Sequence, residues 1–239
     1  MASIREHYEN HLAKYYSWMS GGLEKNIQEN RKFFKDNHVW PRNSGIAVDL
    51  GAGSGFQSIP LAELGFRVVA IDLSKKLLSE LKINAKDLPI EIIHDDLLNF
   101  SNHCPNKIEL VVCMGDTLTH LSAHQTIREL FNKISNALEI GGRLILTFRD
   151  LTAELKGLDR FIPVRHDENN IFTCFLEVEK GHLKVHDIIY ERTNNQWELK
   201  KSFFKKLVIV PQKTKDVLQE IGFKVLTFHI HNSLVCIIA

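Results

Sequence analysis

Ala47-Val48-Asp49-Leu50-Gly51-Ala52-Gly53-Ser54-Gly55-Phe56 is the stretch that decides the fold of this chain. It predicts a short buried strand that runs directly into a glycine-rich turn. Because glycine has no Cβ atom, such a turn lets a ligand approach bare backbone at the carboxyl end of a strand. A second predicted strand ends in Asp72, about twenty residues further on. This order of strand, glycine loop, helix, strand and acid predicts an α/β crevice that binds a nucleoside.

Composition excludes several classes of protein. The 239 residues can bury one sizeable core with an appended subdomain. The net charge of +1 provides no bulk field toward nucleic acid or an acidic membrane, so neither is an expected partner. The polar start is unlike a secretory signal, and no apolar run approaches the ~20 residues of a membrane span. The four cysteines lack metal or redox spacing, which favours free thiols in a cytoplasmic protein.

The predicted elements alternate between strands and helices until about residue 150. Apolar runs predict strands at 46–50, 67–72, 90–93, 108–114 and 142–148, with helices at 55–65, 74–86 and 121–139. Gly65, Gly141 and Gly142 are expected to end helices, and Ser74 is expected to cap one.

The pattern then changes to an antiparallel meander, with strands predicted at 171–179, 183–190 and 197–210. A helix at 212–221 and strands at 224–230 and 234–238 close the chain. We therefore predict one α/β domain in four parts. These are a helical N-terminal lid (1–40), a core (41–150), an antiparallel insertion (151–210) and a C-terminal helix with the last two strands (211–239).

The glycine spacing and the two acids leave alternatives open. A dinucleotide fingerprint requires a third glycine at the position that Phe56 occupies, which counts against a nicotinamide-dependent oxidoreductase. Asp72 is placed to accept ribose hydroxyls or to cap the following helix. Asp49 either faces a cationic group of the ligand or holds the loop through backbone N–H groups.

These motifs resemble those of class I S-adenosylmethionine-dependent methyltransferases. Residues 48–55 match the first motif of that family, and Asp72 matches its ribose-binding acid. The segment 94–100 resembles its adenine-binding segment. There Asp96 would accept from the adenine amino group and the Leu97 N–H would reach a ring nitrogen, with Asp95 as the alternative. The resemblance implies a Rossmann-like, mainly parallel seven-stranded sheet with helices on both faces and an antiparallel insertion after strand 5. The expected cofactor-binding residues are Asp49, Gly51, Ala52, Gly53, Gly55, Asp72, Leu73, Asp95, Asp96, Leu97, Met114 and Tyr16.

The acceptor side is less well defined by the sequence. In members of this family that act on small molecules, a segment resembling residues 8–22 folds over the cofactor. Tyr16 is expected there, unless it packs on the core. His120, just past strand four, is the candidate base, and its alternative is an ordinary helix-face histidine. Arg149 follows strand five and would bind a carboxylate or phosphate, or form a surface ion pair.

The resemblance therefore implies transfer of a methyl group from S-adenosyl-L-methionine to nitrogen or oxygen of a small-molecule metabolite, with S-adenosyl-L-homocysteine as product. The histidine pairs 182/186 and 229/231 lack a third ligand, so no metal is expected. The lysines of 200–206 are predicted to lie on a solvated strand face. The insertion is a candidate surface for a homodimer. A protein that binds S-adenosylmethionine without turnover is the second alternative function.

Overall fold

The computed structural model describes residues 4–104 and 107–239. The strands are β1 (Ile46–Leu50), β2 (Arg67–Asp72), β3 (Ile90–His94), β4 (Ile108–Cys113), β5 (Leu138–Arg149), β6 (Phe161–His166), β7 (Asn170–Glu179), β8 (His182–Thr193), β9 (Gln196–Leu207), β10 (Thr227–His231) and β11 (Leu234–Ile238). The helices are α1 (Ile4–His7), α2 (Tyr16–Met19), α3 (Leu23–Asp36), α4 (Ser58–Glu63), α5 (Lys75–Ala85), α6 (His124–Ala137) and α7 (Pro211–Ile221).

Seven strands form one sheet in the order β10-β11-β5-β4-β1-β2-β3. The neighbouring strands β5, β4, β1, β2 and β3 all run parallel to one another. Strand β11 runs antiparallel to both of its neighbours, β10 and β5. The strand order reverses between β1 and β4, which opens a crevice at their carboxyl ends. The predicted fold class, a Rossmann-like sheet with an antiparallel insertion, is confirmed.

Apolar side chains cover both faces of this sheet. One core contains Phe34 and Phe66, and the other contains Phe100, Phe131 and Phe148, all of them fully buried. Every residue of β4 is buried, as a central strand covered by helices on both faces requires. No described helix is long and apolar enough to cross a membrane.

The insertion is a separate four-stranded antiparallel sheet in the order β6-β7-β8-β9. Turns at Lys180-Gly181 and Asn194-Asn195 join these strands, and both asparagines have positive φ, as a tight hairpin turn requires. The first strand, β6, is absent from the prediction. Its residues are mostly exposed and include Pro163, so the strand lacks the alternation by which a half-buried strand is recognised.

The first part of the predicted helical lid is irregular. Residues 4–22, the lid segment, consist of α1, a π-helical turn (Tyr8–Leu12), a 3₁₀ turn (Ala13–Tyr15) and α2. The first three residues of the predicted lid lie outside the described residues. The irregular turns arise because consecutive side chains bind different parts of the molecule.

Three predicted boundaries were wrong. The helix predicted at 55–65 begins at Ser58, because residues 51–57 form the turn around the glycine loop. The helix predicted at 121–139 spans His124–Ala137, and a 3₁₀ turn precedes it at Thr117–His120. Gly141 and Gly142 lie inside β5 instead of ending that helix. The register of β5 against β4 is irregular there, and these glycines accommodate the irregularity.

Candidate functional site

A cavity of about 980 Å³ lies where the carboxyl ends of β1, β2 and β4 meet the lid segment and the insertion. It brings together residues that are far apart in the chain. Its walls include most of the predicted site residues, namely Tyr16, Gly51, Ala52, Gly53, Asp72, Leu73, Asp96, Leu97, Met114, His120 and Arg149. Three predicted residues, Asp49, Gly55 and Asp95, do not line it.

The glycine loop forms the floor of the cavity. Gly51 and Ala52 donate backbone hydrogen bonds to the carbonyl of Ile71, which holds the loop against β2. Gly51 has a φ of +82°, and a Cβ atom there would lie 2.4 Å from the side chain of Thr117. The close approach of the 117–120 turn therefore requires glycine at this position.

Asp72 at the end of β2 is held by backbone donors. Its two carboxylate oxygens accept from the N–H groups of Gly53 (2.9 Å) and Ser74 (2.7 Å). Burial nevertheless raises the pKa of Asp72 above its usual value. Each carboxylate oxygen has two lone pairs, so acceptor capacity remains for the cavity side. Ser74 accepts from the Leu77 N–H and caps α5, as predicted.

The two adjacent acids after β3, Asp95 and Asp96, have different surroundings in the structure. Asp96 lines the cavity and accepts from the Leu98 N–H at 2.9 Å. Asp95 points instead to His103 Nε2, at 2.7 Å, and this hydrogen bond lowers the pKa of Asp95 to about 2. Of the two registers that the sequence left open, the geometry therefore brings the Asp96–Leu97 pair to the cavity.

Asp49 is buried beneath the glycine loop and does not face the cavity. Its Oδ2 accepts from the hydroxyl of Ser58 at 2.6 Å, whereas Oδ1 has no partner among the described residues. Burial raises the pKa of Asp49 to about 7. Gly55 is also structural, because a Cβ atom there would lie 2.3 Å from Leu81. Of the two roles considered for Asp49, the geometry favours support of the turn before α4.

His120 and Tyr8 form a half-buried pair at the other end of the cavity. The Tyr8 hydroxyl lies 3.2 Å from His120 Nε2, and His120 Nδ1 has no partner in the described part of the chain. Burial lowers the pKa of His120 to about 3 and raises the pKa of Tyr8 well above its usual value. Both side chains are therefore neutral near pH 7. The ring of Phe204, from β9, lies 5.5 Å from the His120 ring.

A charged group lies beside this pair. Asp116 binds the ammonium group of Lys206 and lies 3.4 Å from Arg149 Nε. Burial alone would raise the pKa of Asp116, but the two cations outweigh it and lower the pKa overall. The Arg149 side chain is 62% exposed and that of Lys206 only 13%. Arg149 therefore forms the predicted ion pair and also lines the cavity.

The solvated face predicted for residues 200–206 was partly wrong. Lys200 and Lys205 pair with Glu191 and Glu179 on the insertion, but Lys206 and Phe204 line the cavity. These two residues, together with Tyr8, Asp116 and Asp187, line the cavity and were not among the predicted residues. Phe204 and Lys206 are two positions apart on one strand, so their shared face is visible in the sequence. That this face covers the cavity is visible only in the fold.

Tyr16 and Met114 line the cavity together with the glycine loop. The Tyr16 ring stacks on Phe56 with the ring centroids 5.6 Å apart, and burial raises the pKa of its phenol. Met114 directly follows β4, where the Gly115 N–H donates to Thr147 Oγ1 at 2.7 Å. Among residues 4–104 and 107–239, no group of three or more His, Cys, Asp or Glu side chains is arranged to hold a metal.

Comparison with known proteins agrees with this geometry. Residues 47–142 match the model of a family described as a methyltransferase domain. Those residues match a methyltransferase domain, and the chain has the fold of solved S-adenosylmethionine-dependent methyltransferases. The predicted family resemblance is thereby confirmed.

The domain resembles enzymes that are named for different acceptors. A glycine/sarcosine N-methyltransferase from Aphanothece halophytica is 32% identical over 105 residues, which is 43% of this chain and 40% of that protein. The CcbJ methyltransferase of Streptomyces caelestis has a TM-score of 0.80 at 15% identity and covers 98% of this chain and 97% of its own. CalS10 of Micromonospora echinaspora, an amino pentose methyltransferase, has a TM-score of 0.73 at 11% identity over 95% of both chains. The chain spans less than half the length of the first curated relatives it matches.

Proposed function

We propose that this chain transfers a methyl group from S-adenosyl-L-methionine to a nitrogen atom of a small molecule. The observation that carries the proposal is that Asp72 and the neutral His120–Tyr8 pair line the same cavity. S-adenosyl-L-homocysteine would be the product. The described residues fit this cofactor, because carboxylates and open backbone line one end of the cavity and aromatic rings line the middle.

The cofactor end supplies contacts for each part of the nucleoside. Asp72 would accept the ribose hydroxyls, and Asp96 with the Leu97 backbone would bind the adenine edge. The Tyr16 ring offers a π face to a sulfonium charge. When bound, S-adenosylmethionine supplies a methyl carbon whose bond to sulfur breaks as the acceptor lone pair bonds to it. The protein contributes alignment and the exclusion of water.

The state of His120 favours nitrogen over oxygen as the acceptor atom. A base whose pKa is about 3 is far too weak to remove the proton from an alcohol. A neutral amine needs no such base, because its lone pair is already available. The uncharged His120–Tyr8 pair would hydrogen-bond the amine and hold it in line, and the low-polarity wall would favour its neutral form. The ammonium that results would release its proton to water after the product leaves.

The cations beside the pair suggest that the acceptor also carries an anionic group. Lys206 and Arg149 share the single carboxylate of Asp116, each has more N–H donors than this contact uses, and both line the cavity. Such donors suit a carboxylate or phosphate. The relatives named above include an N-methyltransferase of amino acids and a methyltransferase of an amino sugar, which agrees with an amine acceptor.

A matched screen tests this proposal. The protein is incubated with methyl-labelled S-adenosylmethionine and with paired acceptors that differ only in the nucleophile, such as glycine and glycolate, or an amino sugar phosphate and its parent sugar phosphate. Transfer is expected to the amine of a pair and not to the alcohol, and Asp72→Ala is expected to abolish it. Transfer to alcohols alone would contradict the nitrogen assignment. Binding of S-adenosylhomocysteine without transfer to any pool of cellular metabolites would favour a non-catalytic protein.

A further inference from the structure

Three consecutive residues at the start of the lid segment bind three different parts of the molecule. The His7 ring contacts Asp187 and Ser202 of the insertion, the Tyr8 hydroxyl meets His120 in the cavity, and Glu9 accepts from Ser74 at the start of α5. An ordinary α-helix separates successive side chains by a fixed angle of about 100°. Here the chain enters a π-helical turn at Tyr8 instead. Such turns are rare in proteins, and those that occur are often found at functional sites.

The His7 ring is completely enclosed by the insertion sheet. Its Nε2 lies 2.9 Å from Asp187 Oδ2 and its Nδ1 lies 2.9 Å from Ser202 Oγ, so both ring nitrogens have partners. His7 is 1% exposed and Asp187 2%. The other oxygen of Asp187 accepts from the Cys174 thiol at 3.1 Å. The three partners come from β7, β8 and β9, so this cluster ties the lid segment to three strands of the insertion.

The Phe204 ring lies beside both this cluster and the His120–Tyr8 pair. The Phe204 ring lies 4.5 Å from the His7 ring, 6.4 Å from Tyr8 and 5.5 Å from His120, measured between ring centroids. Asp187 itself lines the cavity. A movement of His7 would therefore displace Tyr8 directly through the backbone and His120 indirectly through Phe204.

The hydrogen bond between His7 and Asp187 fixes this part of the lid segment because both side chains are buried. Removing either partner would leave a buried polar group without a hydrogen bond, which is unfavourable. The π-helical turn lacks the usual i→i−4 bonds and depends on tertiary contacts to persist. The contact between His7 and Asp187 is therefore well suited to fix the turn that carries Tyr8.

We infer that His7 and Asp187 are positioning residues, which hold the Tyr8 hydroxyl against His120 at the acceptor end of the cavity. The inference rests on the proposed function only in the statement that the acceptor binds there. The contact itself belongs to the free protein, so it is open to test without an acceptor.

The test uses the ring nitrogens of His120 as the probe. Protein labelled with [¹⁵N]histidine is studied by two-bond ¹H–¹⁵N NMR, and the His120 signals are assigned from a His120→Asn sample. The wild type is expected to show one neutral tautomer of His120. In Asp187→Asn and His7→Gln, the His120 Nε2 signal is expected to shift and the single tautomer to be lost.

Glu191→Gln is the matched control. Glu191 also joins the lid segment to the insertion, through Lys14 and the Tyr15 hydroxyl, but it lies outside the cavity lining. This variant is expected to leave the His120 signals unchanged. Ser202→Ala removes only the second partner of His7 and is expected to cause a smaller shift of the His120 signals. This variant tests the inference if Asp187→Asn fails to fold.

Unchanged His120 signals in folded Asp187→Asn or Ser202→Ala would overturn the inference, as would an equal change in Glu191→Gln. Calorimetry with S-adenosylhomocysteine on the same samples separates this result from the proposed function. Positioning of Tyr8 predicts affinities within about twofold of the wild type in all these variants. Failure of the wild type to bind would count against the proposed function and leave the His120 result standing.

Discussion

His120 is a residue whose chemistry is set by its surroundings more than by its type. An exposed histidine titrates near pH 6.5 and would serve as a base. Beside Tyr8 and Phe204, this one stays neutral, because burial lowers its pKa to about 3. The structure therefore changes the role we propose for it, from a proton acceptor to a hydrogen-bonding group that aligns the acceptor.

The pH dependence of activity follows from this difference. We expect kcat/KM to rise with pH as the ammonium form of the acceptor loses its proton, with no inflection from His120 between pH 5 and 9. We also expect His120→Asn to cost about tenfold or less, since the asparagine amide can still bond to Tyr8, whereas loss of a general base costs about 10²–10⁴-fold. A histidine inflection near pH 6.5 that disappears in His120→Asn would contradict this role.

A second prediction at the residue scale concerns the effect of Asp49 on the pH dependence of stability. The unfolded chain releases this proton near pH 4, but the folded protein retains it up to about pH 7, because burial raises the pKa. The contribution of Asp49 to stability is thus fully present below pH 4 and is lost as pH rises to about 7, by about 3–4 kcal/mol in all. Urea unfolding at pH 5 and pH 8 is expected to show a steeper loss in wild type than in Asp49→Asn. Equal losses would show that Asp49 ionises normally.

The glycine loop is the element in which sequence and structure agree most closely. All three of its glycines have positive φ, but the surroundings of Gly51 and Gly53 differ. A Cβ atom at Gly51 would overlap Thr117 at 2.4 Å, whereas at Gly53 the nearest atom is Tyr16 Cε1 at 3.6 Å.

These two positions separate backbone strain from overlap. Gly53→Ala is expected to cost about 1–2 kcal/mol of unfolding free energy from its backbone conformation. Gly51→Ala is expected to cost about 1–3 kcal/mol more, because the 117–120 turn has to move. Urea denaturation of both variants measures the difference. Equal destabilisation would mean that the turn yields to the new methyl group at no cost.

The loop, the strand ends and Asp72 were predictable because they depend on local sequence. A buried strand, a glycine turn and an acid at fixed spacing form one local pattern, which is complete within about thirty residues of sequence. The π-helical turn and the inward position of Lys206 were not predictable. Both are fixed by contacts with residues that are distant in the chain, such as His7 with Asp187 and Lys206 with Asp116. Strand β6 was missed for a local reason, because its mostly exposed residues lack the alternation of a half-buried strand. The same limit explains why the cofactor end is better defined from sequence than the acceptor end.

At the scale of the whole molecule, the lid segment connects the two sheets across the cavity. Tyr8, Tyr16 and Met19 line the cavity, while Glu9 and Ser17 bind Ser74 and Glu80 of the core. A ligand in the cavity would therefore stabilise the closed lid segment. We expect S-adenosylhomocysteine to slow amide hydrogen exchange across residues 4–22, with little change in the already protected β4. Protection confined to the loops at 51–55 and 94–97 would show that the lid segment does not close on the ligand.

The central claim is that the cavity binds the nucleoside of S-adenosylmethionine through Asp72, and calorimetry with S-adenosylhomocysteine tests it most directly. We expect the wild type to bind, and Asp72→Ala to bind about a hundredfold more weakly after loss of two hydrogen bonds to a charged acceptor. Asp95→Asn, which changes the neighbouring acid that faces His103, is expected to stay within about twofold of the wild type. An absence of binding by the wild type, or equal affinity in Asp72→Ala, would contradict the account.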